Sequence, residues 1–292
     1  MTVREALAAG RANLAAAGVE TPSLDASLLL AEALGVGRSS LVATAGDSLG
    51  EAPLAAFGTF IKRRTEGECV AYILGRKEFY GLEFNVNDCV LVPRPDTETL
   101  VEVALARLSR LGQPQRMLDL CTGSGAVAVA IKHKMPGLEV WATDVSPKAL
   151  EIAETNAKRL SPLGASPIRF RCGDLFEALS DRERPLFHLI TGNPPYVPSG
   201  EIASLAPEVR AEPALALDGG TDGLDVIRNI VLRATDFLYQ DGTLMLEADP
   251  RQMPEIALLL AKAGFTDVQT HADLSGALRV IAGRKGGQGT AE

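Results

Sequence analysis

Asn193-Pro194-Pro195-Tyr196 is the stretch of this chain whose residue types most directly suggest chemistry. It follows the apolar run Leu186-Phe187-His188-Leu189-Ile190, which reads as a buried strand. Two prolines end that strand, because neither can donate to a ladder. A residue before proline is pushed to extended geometry, so Asn193 is expected at a strand's carboxyl end with its amide projecting. Ligands of open α/β sheets bind at such ends. The prolines remove two N–H donors and leave carbonyl acceptors. An acceptor-rich pocket suits a substrate that brings an NH2 group, and the chemistry this points to is methyl transfer to an amide or amino nitrogen. An isolated Asn-Pro-Pro stretch is otherwise a turn, so the rest of the chain must carry the reading.

A second constellation supplies a cofactor site. Met117-Leu118-Asp119-Leu120 runs into Cys121-Thr122-Gly123-Ser124-Gly125 and then a helical run from Ala126 to Lys134. Glycines let backbone approach a ligand, and a helix start favours polar or anionic groups. The turn departs from Gly-x-Gly-x-x-Gly, and no P-loop Lys-Ser/Thr follows. The next strand ends at Asp144, about 20 residues on, where an acidic residue can take ribose hydroxyls. A third ends in Gly173-Asp174-Leu175, beside where an adenine would lie. Asp119 is placed for an ammonium. Three strand-end carboxylates with one glycine turn fit S-adenosylmethionine, which carries an amino group, a ribose and an adenine. NAD would need a pyrophosphate site.

The elements that must position these groups follow from composition and period. The chain has 292 residues, 46% of them hydrophobic, and a net charge of −8. That charge argues against a protein whose main task is gripping phosphates. Four cysteines and three histidines show no zinc or disulfide spacing. Met1-Thr2-Val3-Arg4-Glu5 opens an amphipathic helix rather than a signal peptide, and no apolar run reaches membrane-spanning length. A cytoplasmic monomer that binds no membrane, metal or nucleic acid is expected. Helical spacing dominates residues 2 to 67, with Ser23, Asp25 and Gly35 bounding one helix and a second from Pro53 to Arg64. Phe79, Leu82, Phe84, Val86 and Val90 around Gly81 predict a β-hairpin. From Pro95 on, strands and helices alternate, which predicts a mostly parallel sheet with helices on both faces. Expected strands are 117–120, 139–143, 168–172, 187–192, 243–247, 267–271 and 278–282, the last two as a hairpin. The expected organisation is a helical substrate-recognition domain over 1–75, a hairpin linker over 76–94, a catalytic domain over 95–285 and a disordered tail over 286–292. Lys62-Arg63-Arg64 with Arg76-Lys77 reads as a solvated basic face.

Several motifs resemble the peptide chain release factor (glutamine-N5) methyltransferases. They are Tyr72-Ile73-Leu74-Gly75 with Glu78-Phe79-Tyr80-Gly81; Val90-Leu91-Val92-Pro93-Arg94-Pro95-Asp96-Thr97-Glu98; Asp119 to Gly125; Asn193 to Tyr196; and Glu212-Pro213 with Leu217, Gly219-Gly220 and Gly223-Leu224. Thr21 to Ala26 and Leu28 to Ala31 look like the family's N-terminal domain. The Pro-Arg-Pro-Asp-Thr-Glu segment is the specific one, since Asn-Pro-Pro-Tyr is shared with adenine methyltransferases. The resemblance implies a class I, seven-stranded, Rossmann-like methyltransferase domain behind a small helical domain. It also implies methylation of the glutamine in the Gly-Gly-Gln motif of class 1 release factors, which supports translation termination. Asp119, Cys121, Thr122, Gly123, Ser124, Gly125, Asp144, Asp174, Leu175 and Asn193 are the expected cofactor contacts. Asn193, Pro194, Pro195, Tyr196 and Arg94 are the expected substrate contacts, with S-adenosylhomocysteine as the product.

Cys121 stands where the family usually has glycine, and Glu247-Ala248-Asp249-Pro250 replaces a glycine-bearing segment. Ala211 replaces a larger residue, and Ala277-Leu278-Arg279 lacks the usual acidic neighbour of the arginine. These departures leave three alternatives: another protein glutamine (as on a ribosomal protein), a nucleic acid adenine, or a non-catalytic cofactor-binding partner. Residues 1–85 hold ten acidic and eight basic residues, which is unlike a nucleic acid clamp. Gly286-Gly287-Gln288 repeats the tripeptide that the family methylates; chance in a glycine-rich tail is the favoured explanation and a pseudosubstrate the other.

Overall fold

The computed structural model describes residues 1–112, 115–179 and 185–286. Its helices and strands are α1 (Val3–Ala16), α2 (Pro22–Leu34), α3 (Ser40–Ala43), α4 (Glu51–Thr65), α5 (Val70–Leu74), β1 (Arg76–Phe79), β2 (Leu82–Asn85), α6 (Glu98–Leu108), β3 (Arg116–Leu120), α7 (Ala126–Lys134), β4 (Glu139–Asp144), α8 (Pro147–Leu160), β5 (Arg169–Cys172), β6 (Phe187–Gly192), α9 (Pro207–Arg210), α10 (Asp225–Phe237), β7 (Leu238–Glu247), α11 (Met253–Lys262), β8 (Phe265–Ala272) and β9 (Leu278–Lys285). Single-turn 3₁₀ segments include Pro95–Thr97 and Ala214–Ala216. Two compact units emerge, one of residues 1–76 with 206–211, the other of residues 77–205 with 212–292. Of the expected tail, residues 287–292 lie outside the described residues, and with them most of the Gly-Gly-Gln tripeptide.

The first unit is helical because its apolar residues repeat at helix spacing and its ends are capped. Thr2 and Glu5 form a capping box on α1. Pro22 opens α2 and Gly35 closes it in the left-handed conformation. Leu14, Leu29, Leu30, Phe57 and Ile61 fill its core. The basic cluster is only partly the solvated face that the sequence suggests: Lys62 is exposed, but Arg64 is not. Arg64 is 5% exposed, and its guanidinium reaches Asp25 at 2.8 Å and Glu208 at 3.2 Å. Arg63 pairs with Glu68 and Arg76 with Glu32. A buried cation needs such partners, because losing them costs several kcal/mol.

The second unit is a seven-stranded sheet in the order β5-β4-β3-β6-β7-β9-β8. β3 to β7 run parallel and β9 is antiparallel to both β7 and β8. This is the class I methyltransferase architecture. The buried strands are continuous apolar runs, as parallel strands covered on both faces must be. One core cluster holds α6 and α7 residues, the other α10 and α11 residues. The hairpin packs into the first of these, with Phe79 and Phe84 edge to face at 5.9 Å. Tyr80 and Gly81 both have positive φ, so its turn matches strand twist. The hairpin is shorter than the alternation out to Val90 suggests, because Asn85 ends it by bonding Asn156. β7 starts five residues earlier than expected. It runs through Asp241-Gly242, where Asp241 takes φ +63 within the strand and a Cβ on Gly242 would fall 2.8 Å from the Tyr239 carbonyl.

Candidate active site

The order in which successive strands are laid down reverses at β3. From β3 the chain winds outward through β4 to β5, then returns to place β6 on the other side. The crevice at the carboxyl ends of β3 and β6 is therefore the topological switch point, where open α/β sheets bind ligands. A cavity of about 320 Å³ opens there. Asp119, Cys121, Thr122, Gly123, Ser124, Asp144, Asp174, Leu175, Asn193, Pro195 and Arg94 all line it. Gly125, Pro194 and Tyr196, named with them from the sequence, are not among its lining residues.

Gly125 does its work one layer back. Its φ is +79, and a Cβ there would press on Ala153 at 3.1 Å, so glycine lets α7 start close against α8. Gly123, at φ +55, faces open space, and its N–H donates to Asp144 at 2.8 Å. Asp144 also accepts from the Ser146 N–H, so it ties the glycine turn to the next loop. Asp119 is 2% exposed and accepts from the hydroxyls of Thr122 and Thr191, each at 2.7 Å. Burial pushes its carboxyl up to about 6, against the pull of those hydroxyls.

Two cavity-lining residues other than glycine hold left-handed backbone, Cys121 at φ +54 and Leu175 at φ +48. Such strain costs on the order of 1–2 kcal/mol each and persists where the surroundings enforce it. Cys121→Gly is expected to melt within a few degrees of the parent and bind cofactor equally well. Cys121→Val, β-branched in the same conformation, should lose about 2 kcal/mol by thermal or urea unfolding.

Asn193 stands one residue past β6. Its Nδ2 donates to the buried Thr97 hydroxyl at 3.3 Å, and Oδ1 has no partner among the described residues. Tyr196 is not among the residues that line the cavity, and its hydroxyl donates to Glu247 at 3.5 Å. The carbonyls of Pro195 and Tyr196 are hemmed in by a glycine loop. A Cβ on Gly219 would lie 2.8 Å from the Pro195 oxygen, and one on Gly223 would lie 2.2 Å from the Tyr196 oxygen. Gln252 donates to the same Tyr196 carbonyl at 2.9 Å.

Pro-Arg-Pro-Asp-Thr-Glu acts as a brace along its whole length. Arg94 pairs with Glu212, whose other oxygen accepts from the Val92 N–H at 3.1 Å. Asp96 meets Arg279 at 3.1 Å, Thr97 holds Asn193, and Glu98 accepts from the Tyr80 N–H at 2.9 Å. Arg279 thus finds its acidic partners in Asp96 and Asp273 rather than beside it in sequence.

Thr97, Thr191 and Glu247 were not singled out for roles from the sequence. For Glu247 a signal existed. It ends the apolar run Thr243-Leu244-Met245-Leu246, as Asp144 ends its own strand. The threonines sit in runs where nothing but the fold distinguishes them.

The cavity chemistry fits S-adenosylmethionine. Carboxylates of Asp119, Asp144 and Asp174 offer acceptors for a cation and hydroxyls, while Val127, Val145 and Leu175 offer apolar wall to a base. No helix among the described residues is long and apolar enough to cross a membrane.

Comparison with known proteins agrees with this architecture. Residues 5–75 match the family profile described as PrmC N-terminal domain, and residues 96–275 match the methyltransferase small domain. The release factor glutamine methyltransferase of Deinococcus radiodurans is 39% identical over 287 residues, covering 98% of this chain and 100% of that protein. That of Geobacter sulfurreducens is 41% identical over 286 residues, covering 98% and 97%. A methyltransferase from Pyrococcus furiosus shares the fold, with a TM-score of 0.52 at 20% identity over 77% of this chain and 97% of that one. By near-complete alignment at about 40% identity, this chain belongs to the release factor glutamine methyltransferase family.

Proposed function

We infer that this chain methylates the side-chain amide nitrogen of the glutamine in the Gly-Gly-Gln motif of class 1 release factors, using S-adenosylmethionine and releasing S-adenosylhomocysteine. The observation that carries the reading is Asn193. Its amide nitrogen is tied to Thr97, its oxygen is unpartnered, and it stands on the rim of a carboxylate-lined cavity.

When bound, the cofactor supplies an electrophilic methyl on a sulfonium. Asp119, Asp144, Asp174, the Cys121–Gly125 turn and Leu175 would hold it. A glutamine amide nitrogen is a poor nucleophile, because its lone pair is delocalised into the carbonyl. The chain's contribution is therefore positioning, which can supply several kcal/mol. Asn193 Oδ1 and the Pro194 carbonyl accept the two amide hydrogens and aim the nitrogen. Acceptors on those hydrogens also favour the positive charge that grows on nitrogen during transfer, and one of the two protons leaves to solvent to give the neutral N-methyl amide. Tyr196 packs against the flat amide. Arg94, locked on Glu212, keeps the cavity wall in place.

Mass spectrometry of a class 1 release factor incubated with this protein and cofactor tests the reading. One methyl gained on the Gly-Gly-Gln glutamine supports it; no gain, with cofactor binding established separately, refutes it. A pH prediction accompanies it. The Asp119 carboxyl is pushed up to about 6, so it is charged above that pH and neutral below. Cofactor affinity by calorimetry should hold from pH 8 to about 7, then weaken by up to about tenfold per unit as pH falls through 6 and below. Asp119→Asn should bind more weakly and lose this pH limb.

A further inference from the structure

Glu247 ends β7 beside Asn193. Leu246 is in register with Gly192, so Glu247 lies level with the start of Asn193-Pro194-Pro195-Tyr196. It is 1% exposed. Oε1 accepts from the Tyr196 hydroxyl at 3.5 Å; Oε2 makes no full hydrogen bond among the described residues, although the Thr97 hydroxyl lies near enough to the carboxylate to favour its charged form. A buried carboxylate oxygen without a partner is costly, and proteins rarely keep one where packing alone is at stake. The charged and titratable groups around it are Tyr196 from the loop after β6, Arg279 from β9 and Asp96 from the turn before α6. Asp96 and Asp273 both engage Arg279, so that guanidinium is not spent on Glu247 alone.

We propose that Glu247 is a positioning residue for methyl transfer: its carboxylate fixes the Tyr196 ring and holds negative charge behind the face that packs on the glutamine amide. The inference rests on the release factor reading. A phenol whose hydroxyl donates to a carboxylate has a more electron-rich ring, and an electron-rich face attracts developing positive charge. Burial, followed by the Glu247 charge, pushes the Tyr196 hydroxyl up, so it remains the donor in this pair at neutral pH. Burial likewise pushes the Glu247 carboxyl up to about 7, with the Thr97 hydroxyl and then Arg279 opposing and Asp96 adding to the rise. The pair therefore changes charge within the working range.

The experiment compares wild type, Glu247→Gln, Tyr196→Phe and the double variant. Turnover of release factor is followed from pH 6 to 8.5, alongside cofactor affinity by calorimetry and melting temperature. Glutamine keeps the shape and an acceptor but not the charge. Wild-type kcat should rise as pH passes through about 7, and Glu247→Gln should flatten that rise and lower kcat about tenfold near pH 8, with cofactor affinity unchanged within about twofold. The double variant should be no slower than the slower single. Melting supplies a readout apart from turnover. The folded carboxyl titrates near 7 against an ordinary 4.5, so wild type loses stability between those values and Glu247→Gln should gain on it over the same window. Unchanged kcat and pH profile in Glu247→Gln would overturn the proposal, even with altered melting, and so would losses that multiply in the double variant. A wild type that never methylates release factor would overturn the release factor reading itself, and the Glu247 role with it.

Discussion

Asn193→Ala is expected to lower kcat on a release factor by about 10³-fold, equivalent to ~4 kcal/mol of transition-state stabilisation. The cofactor dissociation constant should move by no more than a few-fold. The size follows from what Asn193 holds. Its nitrogen is committed to Thr97, so its oxygen is presented at a fixed place, and alanine removes an acceptor that no neighbour can replace. Nothing covalent is lost, which caps the effect at that of an orienting group. Asn193→Asp keeps an acceptor but forfeits the donor to Thr97, and should fall between the two. Single-turnover kinetics separate the step from product release. Near-normal turnover of Asn193→Ala would sink the proposed mechanism.

Gly223→Ala should cost about 3 kcal/mol, which for a domain of this size lowers melting by roughly 6–12 °C. The added Cβ would fall 2.2 Å from the Tyr196 carbonyl and 2.5 Å from Gln252 Nε2, at φ +77. Neither neighbour can yield freely, since Gln252 is bonded to the Tyr196 and Asp222 carbonyls. Turnover measured well below the melting point should fall as well, because relief of the clash must move Tyr196. Gly58→Ala is the control. Gly58 lies within α4 with nothing inside 4 Å of a new Cβ, and alanine there should stabilise by about 0.5–1 kcal/mol. Equal melting of the two variants would contradict the packing described for the Gly219–Gly223 loop.

The sheet was legible because its strands are written in period and composition. β6 matches its expected span, and β3 and β4 differ by one residue each. The four strand-end groups at the cavity, Asp119, Asp144, Asp174 and Asn193, were legible because a proline or glycine lies within a few residues of each and marks where its strand stops. Other features could not be read locally. The burial of Arg64 depends on Asp25 and Glu208, far away in sequence, so Lys62-Arg63-Arg64 looked like any charged helix face. The left-handed backbone of Leu175 is imposed by its surroundings against its own preference. Thr97 reads as one more helix-start residue until the fold brings Asn193 to it. The acidic partner that Arg279 lacks in its own strand is supplied by Asp96, 183 positions earlier in the numbering.

The Arg64 cluster also bears on how the chain is made. Its cation sits in α4, one carboxylate in α2 and the other in α9. Glu208 leaves the ribosome only after β6 has been synthesised. Until then, the nascent helical unit holds a guanidinium with one of its two carboxylates missing, beside a core that is otherwise complete. Synthesis order and stability order therefore differ: the first helices to emerge are among the last to be fully secured. A fragment ending at residue 76 should be correspondingly less stable than the same helices in the full chain, and adding the 206–211 segment in trans as a peptide should recover part of the difference.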